Sequence, residues 1–242
     1  MKRQIAIVAG GNSSEHDVSL RSAAGILSFM DSEKYDCYVV DITGSHWTAH
    51  YGDERCPIDR NDFSFNASDG RHTFHFAYIT IHGTPGEDGI LQGYFDLIGM
   101  PYSTSDVLVE ALTFNKFALN NFLRAYPEVH IADSVLIRRG QAMPAVKDLI
   151  TRLGLPCFVK PNAGGSSFGV TKVKTADQMM PAIEKAMNES DEVMVEKIMV
   201  GTEITCGCYK RGQEVVTFPI TEVVTEQEFF DYEAKYLNKS QE

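Results

Sequence analysis

A run of small and charged residues at 159–170 has the composition of an anion-binding loop. The segment reads VKPNAGGSSFGV, in which Lys160 ends an apolar run and glycines and serines precede the next one. Glycine lets backbone N–H groups approach an anion closely, lysine adds positive charge and serine adds hydroxyl donors. The pattern predicts a lid over the phosphates of a nucleotide. An ordinary β-hairpin turn stays open as the alternative, because glycine and serine also dominate turns.

The elements that would position such a loop begin with a strand–helix–strand unit. A continuous apolar run at Ile5–Ala9 predicts a buried strand, and apolar residues then recur at helical spacing from Val18 to Met30. A second strand is expected at Asp36–Ile42, which implies a parallel sheet with ligands at the carboxyl ends of its strands. The turn at 10–19 therefore lies where a site would be, although it lacks the G-x-G-x-x-G pattern of dinucleotide sites.

Glu15 lies in this turn and allows two interpretations. As an acid in the first helical turn it would complement the helix dipole, with Ser13 or Ser14 as the N-cap, and the local pattern favours this interpretation. As a site residue it would hold a substrate ammonium. His82 ends a strand predicted at Tyr78–His82, and at such a position structural and functional roles are equally expected.

The remaining pattern predicts a mixture of helices and strands. Residues 43–73 are polar and irregular, which predicts a loop-rich insertion with one strand at Thr73–Phe76. Helices are expected at Ile90–Ile98, Val107–Leu123, Ala142–Leu153 and Asp177–Glu189, and strands at Cys157–Lys160, Val170–Val173, Val193–Glu196, Glu203–Tyr209 and Glu214–Val224. Helices packed on antiparallel strands predict an α+β arrangement for this part. Lys116, in the second helix, is by default a solvated lysine.

The overall composition disfavours several functional classes. The chain has 242 residues, is 43% hydrophobic and 23% charged, and carries a formal net charge of −11, so no nucleic-acid partner is expected. It has neither a signal-peptide pattern nor an apolar run near the ~18 residues of a membrane span, which predicts a cytoplasmic protein without a membrane partner. Its 5 cysteines suggest no disulfide framework, and Cys206-x-Cys208 fits alternating strand residues better than a metal site.

Six segments, in order along the whole chain, resemble the ATP-grasp superfamily and, within it, the D-alanine–D-alanine ligases. They are GGNSSEHDVS (10–19), HGTPGEDGILQG (82–93), FNKF (114–117), VKPNAGGSSFGV (159–170), EKIMVGTEIT (196–205) and FDYEAKY (230–236). The resemblance implies an α/β, Rossmann-like (pre-ATP-grasp) substrate domain at 1–101 followed by an incomplete α+β ATP-grasp domain. That domain would comprise a subdomain with the phosphate lid at 102–195 and the start of a C-terminal subdomain at 196–242.

The resemblance also implies an activity. A member of this family would join two D-alanines into D-alanyl-D-alanine through an acyl phosphate, for peptidoglycan precursor synthesis. It would use ATP and two Mg²⁺ ions, for which Mn²⁺ can substitute, and would form a homodimer. A non-catalytic nucleotide-binding fragment and a related ligase such as a D-alanine–D-lactate ligase are the alternatives, and Tyr236 argues for an amine as the second nucleophile.

Site residues follow from the resemblance position by position. A hydrogen-bonded catalytic triad would comprise Glu15, Ser166 and Tyr236, and the substrate would be bound by Glu15, Val18, Ser19, His82 and Lys235. ATP would be bound by Lys116, Lys160, Gly165, Ser166, Ser167, Gly169, Glu196, Lys197, Ile198, Met199 and Glu203. Lys116 and Lys160 would hold phosphates, Glu196 and Lys197 would face the adenine with the backbone of Ile198 and Met199, and Glu203 would bind the ribose. This implication reverses the local preference for a purely structural Glu15.

Counterparts of the family's metal ligands are not found in these 242 residues. Glu226 and Glu228 do not match the family's positions, so the ligands are expected beyond Glu242. The sequence therefore predicts a C-terminally truncated chain with little or no ligase activity of its own, since each lost donor to the transition state costs ~10² or more in rate.

Overall fold

The computed structural model describes residues 2–165 and 167–224 of the chain. These residues form two compact units. The first comprises residues 2–129 with 162–165, and the second comprises residues 130–161 with 167–224. Three predicted site residues, Ser166, Lys235 and Tyr236, lie outside the described residues.

The first unit is built on a seven-stranded sheet with the strand order β6-β5-β4-β3-β2-β1-β7. Its elements are β1 (Arg3–Gly10), α1 (His16–Phe29), β2 (Tyr35–Thr43), β3 (His46–Tyr51), β4 (Glu54–Asp59), β5 (Ser64–Ala67), β6 (Gly70–His72), β7 (Phe76–Ile79), α2 (Ile90–Ile98), α3 (Val107–Phe114) and α4 (Lys116–Leu123). β1 pairs in parallel with both β2 and β7, so the predicted strand–helix–strand unit is confirmed. α2 has the predicted bounds.

The segment 43–73 differs from its prediction. It forms the antiparallel strands β3 to β6 beside β2, so the expected loop-rich insertion is wrong. The strand predicted at Thr73–Phe76 is also wrong, because β6 ends at His72 and β7 begins at Phe76. These strands are short, and aromatic side chains such as Phe63 and Phe65 bury their inner face at 0% and 1% exposure.

The helix predicted at Val107–Leu123 is two helices. Asn115 adopts an extended backbone conformation between α3 and α4, and its side chain accepts a hydrogen bond from Ala118 N. An asparagine at this position caps the second helix and ends the first, because an N-cap residue has non-helical backbone angles. Lys116 is consequently the first residue of α4.

The second unit contains a four-stranded sheet with the strand order β10-β9-β11-β8, and all its pairs are antiparallel. The elements of this unit are β8 (Ser134–Arg138), α5 (Val146–Leu153), β9 (Cys157–Pro161), β10 (Thr171–Val173), α6 (Met179–Met187), β11 (Glu192–Lys197), β12 (Ile204–Thr205), β13 (Cys208–Arg211), β14 (Glu214–Thr217) and β15 (Thr221–Glu222). β12 pairs with β15, and β13 with β14. The antiparallel strands with helices agree with the predicted α+β pattern.

Several predicted bounds in this unit are too wide. α5 begins at Val146, since Pro144 disfavours helical backbone at the residue before it. A 3₁₀ turn with a Thr175–Gln178 capping box precedes α6. The strands predicted at 203–209 and 214–224 are each interrupted, the first around Gly207 and the second around Pro219. Glycine weakens a strand and proline cannot donate to the ladder.

Each unit has its own apolar core. In the first, the sheet packs against α2 around Phe63, Phe65 and Phe95. In the second, α5 and α6 cover the sheet face that carries Cys157 and Val159. No helix among residues 2–165 and 167–224 is long and apolar enough to cross a membrane.

Candidate active site

Glu15 is a buried acid at the start of α1. It is the N-cap residue, its side chain makes no capping hydrogen bond and its residue is 3% exposed. The alternative in which Ser13 or Ser14 is the N-cap is therefore wrong, although Ser13 Oγ accepts a hydrogen bond from Glu15 N at 3.2 Å. Burial of a carboxylate is costly unless polar groups compensate for it. A capping role alone therefore does not explain why the Glu15 carboxylate is buried.

The carboxylate of Glu15 lies against the backbone of Gly165, which belongs to the same unit. A methyl group placed on Gly165 would overlap Glu15 Oε2 and would lie 3.2 Å from Cδ and 3.4 Å from Oε1. Only glycine lets the loop approach the acid this closely. The first part of the predicted lid therefore reaches the turn at the carboxyl end of β1, next in sequence to Ser166.

Val18 and Ser19 are buried behind this turn, at 8% and 0% exposure. Ser19 Oγ donates to Thr80 O at 2.8 Å and accepts from Gly10 N at 3.0 Å. Its hydroxyl thus ties the end of β1 to the residue that follows β7. Ser19 therefore stabilises the turn through these two hydrogen bonds.

His82 is half-buried in the loop that follows β7. The strand ends at Ile79, earlier than the predicted Tyr78–His82. Ser13 Oγ donates to His82 O at 2.7 Å, so the backbone of this loop is bonded to the turn that carries Glu15. The two loops at this edge of the sheet are therefore neighbours, as the parallel pairing requires.

Lys116 also reaches the predicted lid within the first unit. Its Nζ donates to Gly164 O at 2.7 Å, and its backbone N–H donates to Asn162 O at 3.0 Å. A lysine held at a glycine loop supplies a fixed positive charge next to backbone amides. The default interpretation of Lys116 as a solvated lysine does not fit this contact.

Lys160 and Glu196 form an ion pair on the second unit's sheet. Their side chains are 22% and 14% exposed. The register places Glu196 directly opposite Phe158, and Phe158 opposite Lys172, so these residues share one face of the sheet. Lys197 is exposed and lies opposite Cys157, so its side chain is not on the face that carries Glu196.

An open cavity of about 860 Å³ lies in the second unit. Three predicted ATP-binding residues, Ile198, Met199 and Glu203, line it. Phe158, Lys172 and Glu222 also line it, and sequence reasoning assigned none of them a role. This volume is within the range of small-molecule sites, and an apolar wall with a few polar groups suits an aromatic base and a sugar.

Residues 162–170 connect β9 to β10, so the two strands do form a hairpin. The connection is too long for a tight turn. Ser167 and Gly169 both have left-handed backbone conformations, with φ of 62° and 70°. A methyl group on Gly169 would lie 2.9 Å from Pro161 Cγ, so glycine is required there for space and for conformation. The hairpin alternative is correct for the topology, and a phosphate lid stays a prediction.

Comparison with known proteins gives consistent matches along the chain. The family described as D-ala D-ala ligase N-terminus matches residues 4–105, and D-ala D-ala ligase C-terminus matches residues 129–242. A protein of Phocaeicola vulgatus named D-alanine–D-alanine ligase is 60% identical over 243 residues, which span 100% of this chain and 74% of that protein. This chain belongs to the D-alanine–D-alanine ligase family. A D-alanine–D-alanine ligase of Bacteroides fragilis is 59% identical and covers 98% of this chain and 72% of its own length.

Solved structures of ligases share the fold. D-alanyl-alanine synthetase A from Vibrio cholerae superposes with a TM-score of 0.82 at 28% identity, over 93% of this chain and 69% of that one. VanG D-Ala:D-Ser ligase from Enterococcus faecalis gives 0.80 at 31% identity, over 96% and 73%. A D-alanine–D-alanine ligase from Bacillus anthracis, complexed with ATP, gives 0.70 at 28% identity, over 94% and 68%.

The described residues of this D-alanine–D-alanine ligase family member do not supply a metal site. Nowhere in 2–165 or 167–224 do three His, Cys, Asp or Glu side chains lie in an arrangement that could hold an ion. Asn115 and Asn162 are two further polar residues to which the sequence assigned no role, although they stand in the FNKF and VKPNAGG segments. Their positions, directly before Lys116 and two residues after Lys160, are the sequence feature that could have identified them.

Proposed function

We propose that this protein catalyses the ATP-dependent ligation of two D-alanines to D-alanyl-D-alanine. The observation that carries the proposal is the buried carboxylate of Glu15 against Gly165, in the unit where Lys116 contacts Gly164. An acid suited to a substrate ammonium thus lies at a loop suited to phosphates. The names of the relatives support the same activity.

The chemistry accounts for these residue types. A carboxylate oxygen of the first D-alanine attacks the γ-phosphorus of ATP, and ADP leaves, which yields an acyl phosphate. The amine of the second D-alanine then attacks the acyl carbon, the C–O bond breaks, phosphate leaves and the amine loses a proton. The first step brings two anions together, and the second develops negative charge on the acyl oxygen, so fixed cations and backbone N–H groups lower both barriers. Water must be excluded, because it would hydrolyse the acyl phosphate.

Roles for individual residues follow. Glu15 orients the first D-alanine through its ammonium, with His82 and Lys235 near the substrates and Val18 and Ser19 supporting Glu15. Lys116, Lys160 and the loop residues Gly165, Ser166, Ser167 and Gly169 bind phosphates, and Ser166 joins Glu15 and Tyr236 in a triad. Glu196, the Lys197 backbone, Ile198 and Met199 bind the adenine, and Glu203 binds the ribose.

The proposal extends to the fold and to the biological role. It assigns a Rossmann-like pre-ATP-grasp domain to residues 1–101, a lid-bearing ATP-grasp subdomain to 102–195 and the start of a second subdomain to 196–242. A homodimer and a place in peptidoglycan precursor synthesis are part of it. A Mg²⁺ requirement is also part of it, although the described residues do not form a site that fits that ion. Low activity of the 242-residue chain by itself stays a prediction.

Phosphate release from ATP by the full-length gene product tests the proposal. Release should require D-alanine and should not occur with L-alanine, and D-alanyl-D-alanine should accumulate in equal amount. D-lactate and D-serine, each added with D-alanine, test other second substrates, of which D-serine is suggested by the likeness to VanG. ATP binding without any D-alanine-dependent release would instead support a non-catalytic nucleotide-binding protein. The same assay on the 242-residue chain tests whether it is active alone.

A further inference from the structure

Asn162 is a fully buried asparagine at the start of the connection between β9 and β10, at 0% exposure. Its Oδ1 accepts from Phe117 N at 2.8 Å, and its Nδ2 donates to Asn115 Oδ1 at 3.0 Å. Its backbone carbonyl accepts from Lys116 N at 3.0 Å. The residue therefore binds the start of α4 through both its side chain and its backbone.

The start of α4 would otherwise be an anion site. The first N–H groups of a helix have no partner within the helix and attract anions such as phosphate. Here Lys116 N and Phe117 N donate to Asn162, and Ala118 N donates to Asn115 Oδ1 at 2.9 Å. Because these three backbone N–H groups already donate to Asn162 and Asn115, the start of the helix fixes the loop in place and does not bind phosphate directly.

The same terminus holds the next part of the loop. Lys116 Nζ reaches Gly164 O at 2.7 Å, and Ala163 forms a β-bridge with Asn115. Residues 162–165 therefore wrap around the first turn of α4, and Gly165 meets Glu15 at the end of this segment. Movement of Asn162 would shift the Lys116 ammonium and the Gly164–Gly165 backbone together.

We propose that Asn162, paired with Asn115, is a positioning residue that sets the place of the Lys116 ammonium and of the 163–165 backbone for phosphoryl transfer. The effect on phosphoryl transfer rests on the proposed function, whereas the effect on the position of residues 163–165 does not. Misplacement of reacting groups by about 1 Å can cost ~10²-fold in rate, so the amide pair matters beyond its share of stability.

Two substitutions test the pair. Asn162→Ala removes the side-chain hydrogen bonds to Phe117 N and to Asn115 Oδ1. Asn162→Asp keeps an acceptor for Phe117 N but places a second oxygen against Asn115 Oδ1, which loses its donor from residue 162 and keeps only the one from Ala118 N. Asn121→Ala is the matched control, because Asn121 is an exposed asparagine on α4 whose Nδ2 bonds Phe117 O at 2.7 Å.

The first readout is the rate of amide hydrogen exchange in residues 163–165, measured on the 242-residue chain. Both Asn162 variants should raise it by ~10-fold or more at a temperature where the chain stays folded, while Asn121→Ala leaves it unchanged. Should Asn162→Ala fail to fold, Asn162→Asp carries the comparison. Unchanged exchange in the folded variants would overturn the proposal, even if their melting temperatures fall.

The second readout is steady-state kinetics of the full-length gene product. We expect kcat/KM for ATP to fall by roughly 10–10²-fold in both Asn162 variants, with KM for D-alanine changed much less. A lower melting temperature with unchanged kcat/KM would mean a purely structural role and would overturn the catalytic part. If the wild-type protein shows no D-alanine-dependent turnover, the proposed function fails, and the exchange measurement still decides whether Asn162 positions the loop.

Discussion

Gly165 presents its backbone to the carboxylate of Glu15, although the two residues are far apart in the chain. A methyl group on Gly165 would overlap Oε2 of that acid and would lie 3.2 Å from its Cδ. Glu15 is 3% exposed and comes directly before α1. The loop and the acid are therefore packed as one group, and in the proposed reaction this packing puts the ammonium site next to the phosphate loop.

Gly165→Ala should impair the enzyme more than it impairs the fold. The added methyl group forces either the Glu15 carboxylate or the loop to move. We expect kcat/KM for D-alanine to fall by ~10²-fold in the full-length gene product, since such displacements disturb the alignment of reacting groups. Steady-state kinetics with D-alanine varied at saturating ATP measure this effect.

Gly25→Ala is the control for that substitution. Gly25 lies within α1, and a methyl group there would meet no atom within 4 Å. Alanine favours helix over glycine by up to ~1 kcal/mol, so the variant should be slightly more stable and fully active. If Gly165→Ala were as active as Gly25→Ala, the close approach to Glu15 would have no role in the site.

Glu196→Gln should weaken nucleotide binding by removing the negative partner of Lys160. Both side chains of this pair are largely buried, at 22% exposure for Lys160 and 14% for Glu196, so solvent screens them less than a surface pair. Without the carboxylate, the ammonium is no longer fixed on the sheet face beside the cavity. We expect the Kd for ATP to rise by ~10-fold, as measured by calorimetric titration.

Glu192→Gln is the matched variant on the same strand. Glu192 pairs with Arg138 at 2.7 Å, and its side chain is 31% exposed while that of Arg138 is 51% exposed. Exposed pairs contribute little, so ATP affinity should stay within about twofold of the wild-type value. Equal losses in the two variants would indicate that the sheet, rather than the Lys160–Glu196 pair, determines affinity.

Local pattern predicted the elements whose periodicity is strong. The apolar run at Ile5–Ala9 and the amphipathic segment Ile90–Ile98 are a strand and a helix in the structure. The strands β3 to β6 were missed because each is short and carries polar residues on its outer face. Their stability comes from rings that meet across strands, such as the stacked pair of Phe65 and His72 at 4.7 Å. Such pairs leave no local periodic signal.

The candidate site, like the fold, could be predicted only in part from the sequence. The loop pattern pointed to Lys160, and the family resemblance pointed to Lys116 and Glu196, but neither revealed the contacts that these residues make. The Asn115–Asn162 bond spans 47 positions and the Lys160–Glu196 pair spans 36. Spacing within one element cannot reveal contacts over such separations, because they depend on how the strands and helices pack. The Asn115 break in the predicted long helix was missed for the same reason, since its Oδ1 serves both Ala118 N and Asn162.

Phe63→Ala should destabilise the first unit strongly. Phe63 is 0% exposed, and its ring meets Phe95 edge-on at 4.9 Å and Trp47 at 6.0 Å. Truncation of a buried phenylalanine typically costs about 3–5 kcal/mol. Trp47 is the single tryptophan of the chain, so its fluorescence during urea unfolding reports on this core.

Phe29→Ala provides the comparison for that measurement. Phe29 ends α1 and is 90% exposed, so its loss should change the free energy of unfolding by no more than about 0.5 kcal/mol. A similar small change for Phe63→Ala would show that the aromatic cluster does not support the unit.

Tyr51 should make the stability of the protein depend on alkaline pH. Its hydroxyl donates to Asp69 Oδ2 at 2.6 Å, and this bond, with burial and the negative charge of Asp69, raises the pKa of Tyr51 to about 12. The unfolded chain has a tyrosine pKa near 10. The hydrogen-bonded, protonated side chain therefore stabilises the fold fully below about pH 10, and this stabilisation is lost as the pH rises from about 10 to about 12.

The Tyr51→Phe variant isolates this effect. The difference in unfolding free energy between wild type and variant should be constant up to about pH 10 and should shrink from there to about pH 12, as followed by urea unfolding. Phe29→Ala, at a 90% exposed residue without a titrating group, is the control and should give a difference that does not vary with pH. A constant difference for Tyr51→Phe as well would mean that the Asp69 bond does not hold the Tyr51 proton. At acid pH the sign is reversed. The hydrogen bonds from Tyr51 and His72 keep the pKa of Asp69 below its usual value, so the stability that these bonds contribute is lost only as the pH falls through that lowered pKa.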